Sequence, residues 1–335
     1  MNRRTSSQVV SVDESPPTSS LLDESPPKSS PLDGFHPEAS LCDSKVKGFR
    51  DFVSYMCERR DRHRERRFLI FLNISRHYDL VKQGAFSLFM DDTMAYSSAV
   101  FKSENEDLRT AQMRKITLLI EKVAKFQARI EKNHGVLELG CGWGTLAVEV
   151  VRRTGCKYTG ITLSIEQLKY AEAKVKEARL EDRITFKLCD YRQLSDAQKY
   201  DRIIACEMIE AVGHEFYEAF VSCCEVALAK DGIFVMQFTA VPEELYDETR
   251  LSSGFITEYI FPGGCLPSLA RVTSAMSSSS RLCIEDVENI GIHYYYTLRC
   301  WRKRFLENQK QIMELGFDDK FIRTWEYTHT IHNII

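Results

Sequence analysis

The chain has 335 residues, 44% of them apolar, and a formal net charge of −3. That is enough for one large or two modest domains around a buried core, and the global balance does not favour nucleic-acid binding. Eleven cysteines without a C-x-x-C pair, no Cys/His grouping at ligand spacing and no apolar run near the roughly 20 residues that span a bilayer argue for reduced thiols, no metal and a soluble or peripheral, cytoplasmic protein.

Residues 1–45 hold six of the nine prolines, many serines and a near-repeat, Asp13-Glu-Ser-Pro-Pro17 and Asp23-Glu-Ser-Pro-Pro27. Such a composition buries too little apolar surface to offset its ordering entropy, so a disordered leader is expected. From Val46 to about Ile74, Phe49, Phe52, Val53 and Met56 recur at helical spacing. Six arginines between Arg59 and Arg67 continue that helix. They read either as a solvated face or as an anchor for anionic lipid headgroups.

A long helix over about Asp107–Lys132 precedes the apolar run Val136–Leu139. Further strands are expected at Tyr158–Thr162, Ile184–Leu188, Tyr200–Ala205 and Gly232–Gln237, with helices through Val151, over Ser164–Arg179 and over His214–Leu228. Strands alternating with helices at this spacing predict an α/β doubly wound parallel sheet, with its ligand at the carboxyl ends of the strands.

Gly140-Cys-Gly-Trp-Gly144 follows the first of these strands directly. Its glycines let the backbone turn tightly and approach a ligand, but the spacing is G-x-G-x-G and not the G-x-G-x-x-G of dinucleotide binders. With Glu138 two residues ahead, the run resembles motif I of class I S-adenosylmethionine methyltransferases, in which Gly140, Gly142 and Gly144 cradle the amino-acid half of the cofactor. The second strand ends without the usual ribose-binding acid. Thr162 and Gln167 are the neutral candidates for those hydroxyls. Asp190 and Tyr191 are placed to meet adenine, the carboxylate at its amino group and the ring as a stacking face, although either also suits a strand-end cap.

Four further segments, His77-Tyr-Asp79, Met94-Ala-Tyr-Ser-Ser98, Glu207-Met-Ile-Glu-Ala-Val-Gly213 and Tyr259–Pro267, resemble cyclopropane-fatty-acyl-phospholipid synthases of the plant-type branch. The resemblance runs from about Phe71 to Tyr327. It implies a Rossmann-like class I methyltransferase domain over 106–335, a helical segment and cofactor lid over 46–105, and a lid insertion around 240–280. It also implies transfer of a methylene or methyl group from S-adenosylmethionine to the cis double bond of phospholipid acyl chains at a membrane surface. The resulting carbocation would lose its proton to a bound bicarbonate. By resemblance that bicarbonate sits among Ser98, Glu210, Gln237 and Tyr294, while Tyr78, Tyr96 and Ser97 touch the cofactor.

Ser98 stands where bacterial members have cysteine, and Gln237 where they have histidine; an amide donates a hydrogen bond but does not titrate. Read without the resemblance, Glu210 suits the first turn of a helix and Tyr294 a core-facing position in Tyr294-Tyr-Tyr296. After Tyr327 the chain does not resemble the family, so the final antiparallel strand of the sheet is expected to be missing. Two rivals stay open, a small-amine N-methyltransferase and a truncated, non-catalytic remnant. A homodimer is compatible with either reading.

Overall fold

The computed structural model describes residues 6–13, 77–78, 84–124, 130–195, 197–252 and 254–331. These fall within one compact unit. Five parallel strands carry the centre of the sheet: β2 (Gly135–Leu139), β3 (Lys157–Thr162), β4 (Ile184–Leu188), β5 (Tyr200–Cys206) and β6 (Leu228–Ala240). With β1 (Ser6–Asp13) and β7 (Cys283–Asn289) the order is β4-β3-β2-β5-β6-β1-β7. The parallel register is in step across the middle, Val136 lying opposite both Tyr158 and Arg202.

Strand side chains alternate between two cores, as a period of two requires. Leu137, Leu139, Ile203, Phe234 and Met236 face one layer, where α4 (Tyr217–Ala227) and α6 (Leu269–Ser279) bring Phe220, Cys224, Val272 and Met276. Val136, Ile204, Ile233 and Val235 face the other layer. There α1 (Leu108–Ala124), α2 (Thr145–Thr154) and α3 (Ile165–Ala178) bring Ile116, Leu119, Val151, Ala171 and Val175. The helix expected to reach Lys132 gives way earlier, because residues 131–134 already turn into β2.

The N-terminal strand is the main departure from the expected fold. Ser6–Asp13 is not a disordered leader; it runs antiparallel between β6 and β7, Ser6 opposite Ala240 and Asp13 opposite Ile233, with Val9 opposite Glu288 on the far side. It therefore fills the antiparallel place that the expected loss of the last strand would leave open. Local propensity permits it and distant edges decide it: Gln8-Val-Val-Ser-Val12 has strand-forming residues, and the facing edges of β6 and β7 would otherwise present unpaired N–H and C=O groups. The rest of the expected leader and the basic helix over 46–74 lie outside the described residues.

The insertion expected at 240–280 has regular structure, with α5 (Glu243–Leu251), a π-helical turn at Ile256–Ile260 and α6. It is tied to the body by the Arg271–Glu218 ion pair at 2.7 Å and by the Tyr217 hydroxyl donating to the Cys265 carbonyl at 2.8 Å. After β7 come α7 (Gly291–Glu307), α8 (Gln309–Glu314) and α9 (Asp319–Ile331). Their Trp301, Phe305 and Trp325 form a third core with Phe86, Phe89 and Trp143. Among the described residues no helix is long and apolar enough to cross a membrane.

Candidate active site

The loop after β2 is shaped by its glycines. Gly140, Gly142 and Gly144 have φ of 74°, 50° and 84°, in the left-handed region that side chains rarely adopt. A Cβ on Gly144 would stand 2.8 Å from the Cβ of Ala171, so that glycine allows α2 to pack on α3. A Cβ on Gly142 would meet nothing within 4 Å. The open space beside that backbone is a cradle that fits the amino-acid half of S-adenosylmethionine. Gly144 offers no side-chain cap to α2, so N–H groups of the first turn are left for a ligand carboxylate.

Glu138, the acid before the loop, is buried and accepts a hydrogen bond from the Tyr158 hydroxyl at 2.9 Å. Burial raises its carboxyl to about 7, against the lowering effects of Tyr158 and the Lys115 charge. Thr162 and Gln167 meet at the end of β3, the Thr162 hydroxyl donating to Gln167 Oε1 at 2.7 Å. Both are buried and together form a neutral hydrogen-bonded pair at the carboxyl end of β3. Asp190 caps the short turn Tyr191–Gln193 and is bound by the Arg192 guanidinium, one contact being 2.9 Å. The Tyr191 ring is not an open stacking face. Phe220 packs edge-on to it at 5.3 Å and the Arg192 guanidinium lies 5.6 Å from its centre, so adenine contact there requires Arg192 to swing aside.

Beyond the loop, separate segments converge on a pair of half-buried carboxylates. The Ser98 backbone N–H donates to Glu207 Oε1 at 2.8 Å, and Gln237 Nε2 donates to the same oxygen at 2.9 Å and to the Ser98 carbonyl at 3.2 Å. Glu210 Oε1 accepts from the Thr239 backbone N–H at 2.6 Å, while its Oε2 is buried without a hydrogen-bond partner. Burial raises both carboxyls; Glu210 is pushed to about 8, with the charge of Glu207 adding to the effect. Burial also raises Tyr78, Tyr96 and Tyr294, and each of these phenols senses the charge of Glu207. Ser97 accepts a hydrogen bond from the buried Lys115 ammonium at 2.7 Å.

Thus Ser98, Glu210, Gln237 and Tyr294, from four distant stretches of sequence, gather around Glu207 in one cluster with Tyr78 and Tyr96. Its walls are aromatic: the Tyr96 ring lies 5.2 Å from Trp301, and His77 lies 4.6 Å from Phe261. His77 is held near 4, chiefly by burial, and so is neutral. Lys115, Trp301 and the part played by Glu207 escape the sequence reading. A Glu-x-x-Glu spacing looks like two acids in one helical turn, and the one signal in Glu207 itself is its place within the same short run as Glu210.

The family model described as mycolic acid cyclopropane synthetase matches residues 66–332. The tuberculostearic acid methyltransferase of Mycobacterium tuberculosis is 36% identical over 261 residues, which are 76% of this chain and 59% of that protein. The cyclopropane-fatty-acyl-phospholipid synthase of Escherichia coli is 33% identical over 252 residues, 75% of this chain and 60% of that one. The chain therefore spans about three fifths of the length of these relatives. Among solved structures, a mycolic acid cyclopropane synthase complexed with SAH and CTAB superposes with a TM-score of 0.70 at 27% identity, covering 79% of this chain and 94% of that chain.

Proposed function

The chain belongs to the mycolic acid cyclopropane synthetase family and has the class I S-adenosylmethionine methyltransferase fold; from that premise we propose that it transfers a one-carbon unit to the cis double bond of phospholipid-bound acyl chains. The observation that carries the reading is the half-buried carboxylate pair, Glu207 and Glu210, set among tyrosines beside the glycine loop. When bound, S-adenosylmethionine supplies an electrophilic methyl group, and its transfer to an alkene leaves carbocation character on the acyl chain.

The residues of this chain then have three tasks. Gly140, Gly142 and the start of α2 hold the cofactor's amino-acid half, Glu138 takes its ammonium or a ribose hydroxyl, and Thr162 with Gln167 takes a ribose edge. Tyr78, Tyr96 and Tyr294 exclude water and turn aromatic faces and phenol dipoles toward a developing cation. An anionic oxygen in the cluster of Ser98, Glu210 and Gln237 accepts the proton. The resemblance assigns that last place to bicarbonate, but the residues present do not fit it. The Ser98 N–H and Gln237 Nε2 already donate to Glu207, and a further anion would face two carboxyl groups. An acyl substrate also requires contact with a lipid surface, which suits the exposed Leu251 and Tyr259 of the insertion.

The test is to incubate the purified chain with S-adenosylmethionine and dioleoyl phospholipid vesicles and to weigh the released fatty acids. Acyl chains heavier by one carbon, absent with Gly140→Arg, are expected. Cofactor binding without any mass gain on vesicles, coupled to methylation of small amines, would overturn the lipid reading.

A further inference from the structure

The donors that would hold a free anion in this pocket are already occupied by the protein itself. Ser98 N–H and Gln237 Nε2, 139 positions apart in the chain, both point at one oxygen, Glu207 Oε1. The Glu207 backbone is pinned in the same place, its N–H donating to the Gln237 carbonyl at 2.7 Å. Its φ of 49° is a conformation that glycine adopts readily and a glutamate rarely. We propose that Glu207 is a built-in anion, seated where a dissolved bicarbonate or carboxylate would bind, and that it is the base which takes the proton from the acyl cation. The catalytic half of this proposal rests on the lipid reading above; the occupancy half does not.

The two carboxyls divide the work. Burial raises the Glu207 carboxyl, and against that stand two N–H donors on one oxygen and the nearby positive charge of Lys115, which favour its ionised form. Glu210 has one backbone donor and a second oxygen with no hydrogen-bond partner, and its carboxyl is raised to about 8. Burial raises both carboxyls, and the larger donor set on Glu207 Oε1 holds an ionised carboxylate better than the single donor on Glu210 does. In the reaction the transferred methyl is bonded to one former alkene carbon, and its neighbour is cationic. A Glu207 oxygen removes one proton from that methyl and forms an O–H bond. The electron pair of the broken C–H bond closes the third side of the ring on the cationic carbon. The proton passes to solvent before the next turnover, and no oxidant or reductant is consumed.

The experiment compares wild type, E207Q and E207G in carbon-dioxide-free buffer with and without millimolar bicarbonate. Turnover on dioleoyl phospholipid vesicles is one readout, and line broadening of ¹³C-labelled bicarbonate is the second. Wild type should turn over equally in both buffers and leave the bicarbonate signal sharp. E207Q should bind S-adenosylmethionine normally but turn over about 100-fold more slowly, as loss of a general base predicts. E207G, whose backbone suits the positive φ, should broaden the bicarbonate signal and regain about tenfold in rate when bicarbonate is added. Bicarbonate-dependent wild-type turnover, equal broadening by wild type and E207G, or near-normal rates for E207Q would each overturn the proposal. Should wild type give no lipid product in either buffer, the lipid reading and the base role fail together. Broadening confined to E207G would then still establish the built-in anion.

Discussion

Two neighbouring glycines of the same loop should respond to alanine in opposite ways. At Gly144 a methyl group would sit 2.8 Å from the Cβ and 3.1 Å from the Cα of Ala171, neither of which belongs to a flexible side-chain end. Overpacking of this kind costs about 1–3 kcal/mol, and an L-residue held at φ of 84° adds about 1–2 kcal/mol. Gly144→Ala should therefore lose roughly 2–5 kcal/mol of stability, or on the order of 5–15 °C in melting temperature for a domain of this size. At Gly142 the methyl meets nothing within 4 Å, so only the backbone term of about 1 kcal/mol applies. Gly142→Ala should melt within a few degrees of wild type yet lose S-adenosylmethionine affinity, because its methyl points into the open cradle. Calorimetric melting and titration of the two variants decide the matter. A Gly142→Ala protein that binds the cofactor as wild type does would refute the placement of the ligand against this loop, and an unperturbed melting curve for Gly144→Ala would refute the packing argument.

Three further outcomes follow from the same structure. Deleting residues 1–13 leaves the inner edges of β6 and β7 unpaired, so light scattering on mild heating should rise and the melting temperature should fall; an unchanged variant would mean that β1 adds nothing to the sheet. Glu138 and Glu210 are raised in the folded protein to about 7 and about 8, so the folded state holds protons that the unfolded chain releases near 4.5. Their contribution is complete below about pH 4.5 and is lost as pH rises toward 7 and 8, and E138Q should flatten the decline in melting temperature between pH 5 and 8. Because the Tyr158 hydroxyl donates to Glu138 and lowers its carboxyl, Tyr158→Phe should shift that decline to higher pH, and an unmoved midpoint would count against the 2.9 Å contact.

The cofactor loop and the five parallel strands are legible in the sequence because their causes are local. An apolar run bounded by turn residues makes a strand in many contexts, and three alternating glycines at its end announce backbone that must turn and stay bare. Gln237 at the end of β6 and Glu210 just after β5 follow from that frame, since ligands gather at the carboxyl ends of such strands. Tyr191 is legible only in part: its position after β4 is local, whereas the Phe220 and Arg192 contacts that cover its ring come from another element and from a side-chain choice.

What the amino-acid order determined alone was therefore the set of elements, the glycine loop and the candidates brought near it by the sheet. Tertiary structure decided the rest. Whether Ser6–Asp13 forms a strand depends on two edges supplied by residues more than 200 positions away, which no composition window around its prolines contains. Whether Glu207 is a solvated acid or a carboxylate held by the protein depends on donors from Ser98, 109 positions upstream, and Gln237, 30 positions downstream. The physical reason is the same in both cases. A strand edge or a carboxylate gains its energy from partners satisfied across space, and local propensity carries no record of which partners the fold will bring.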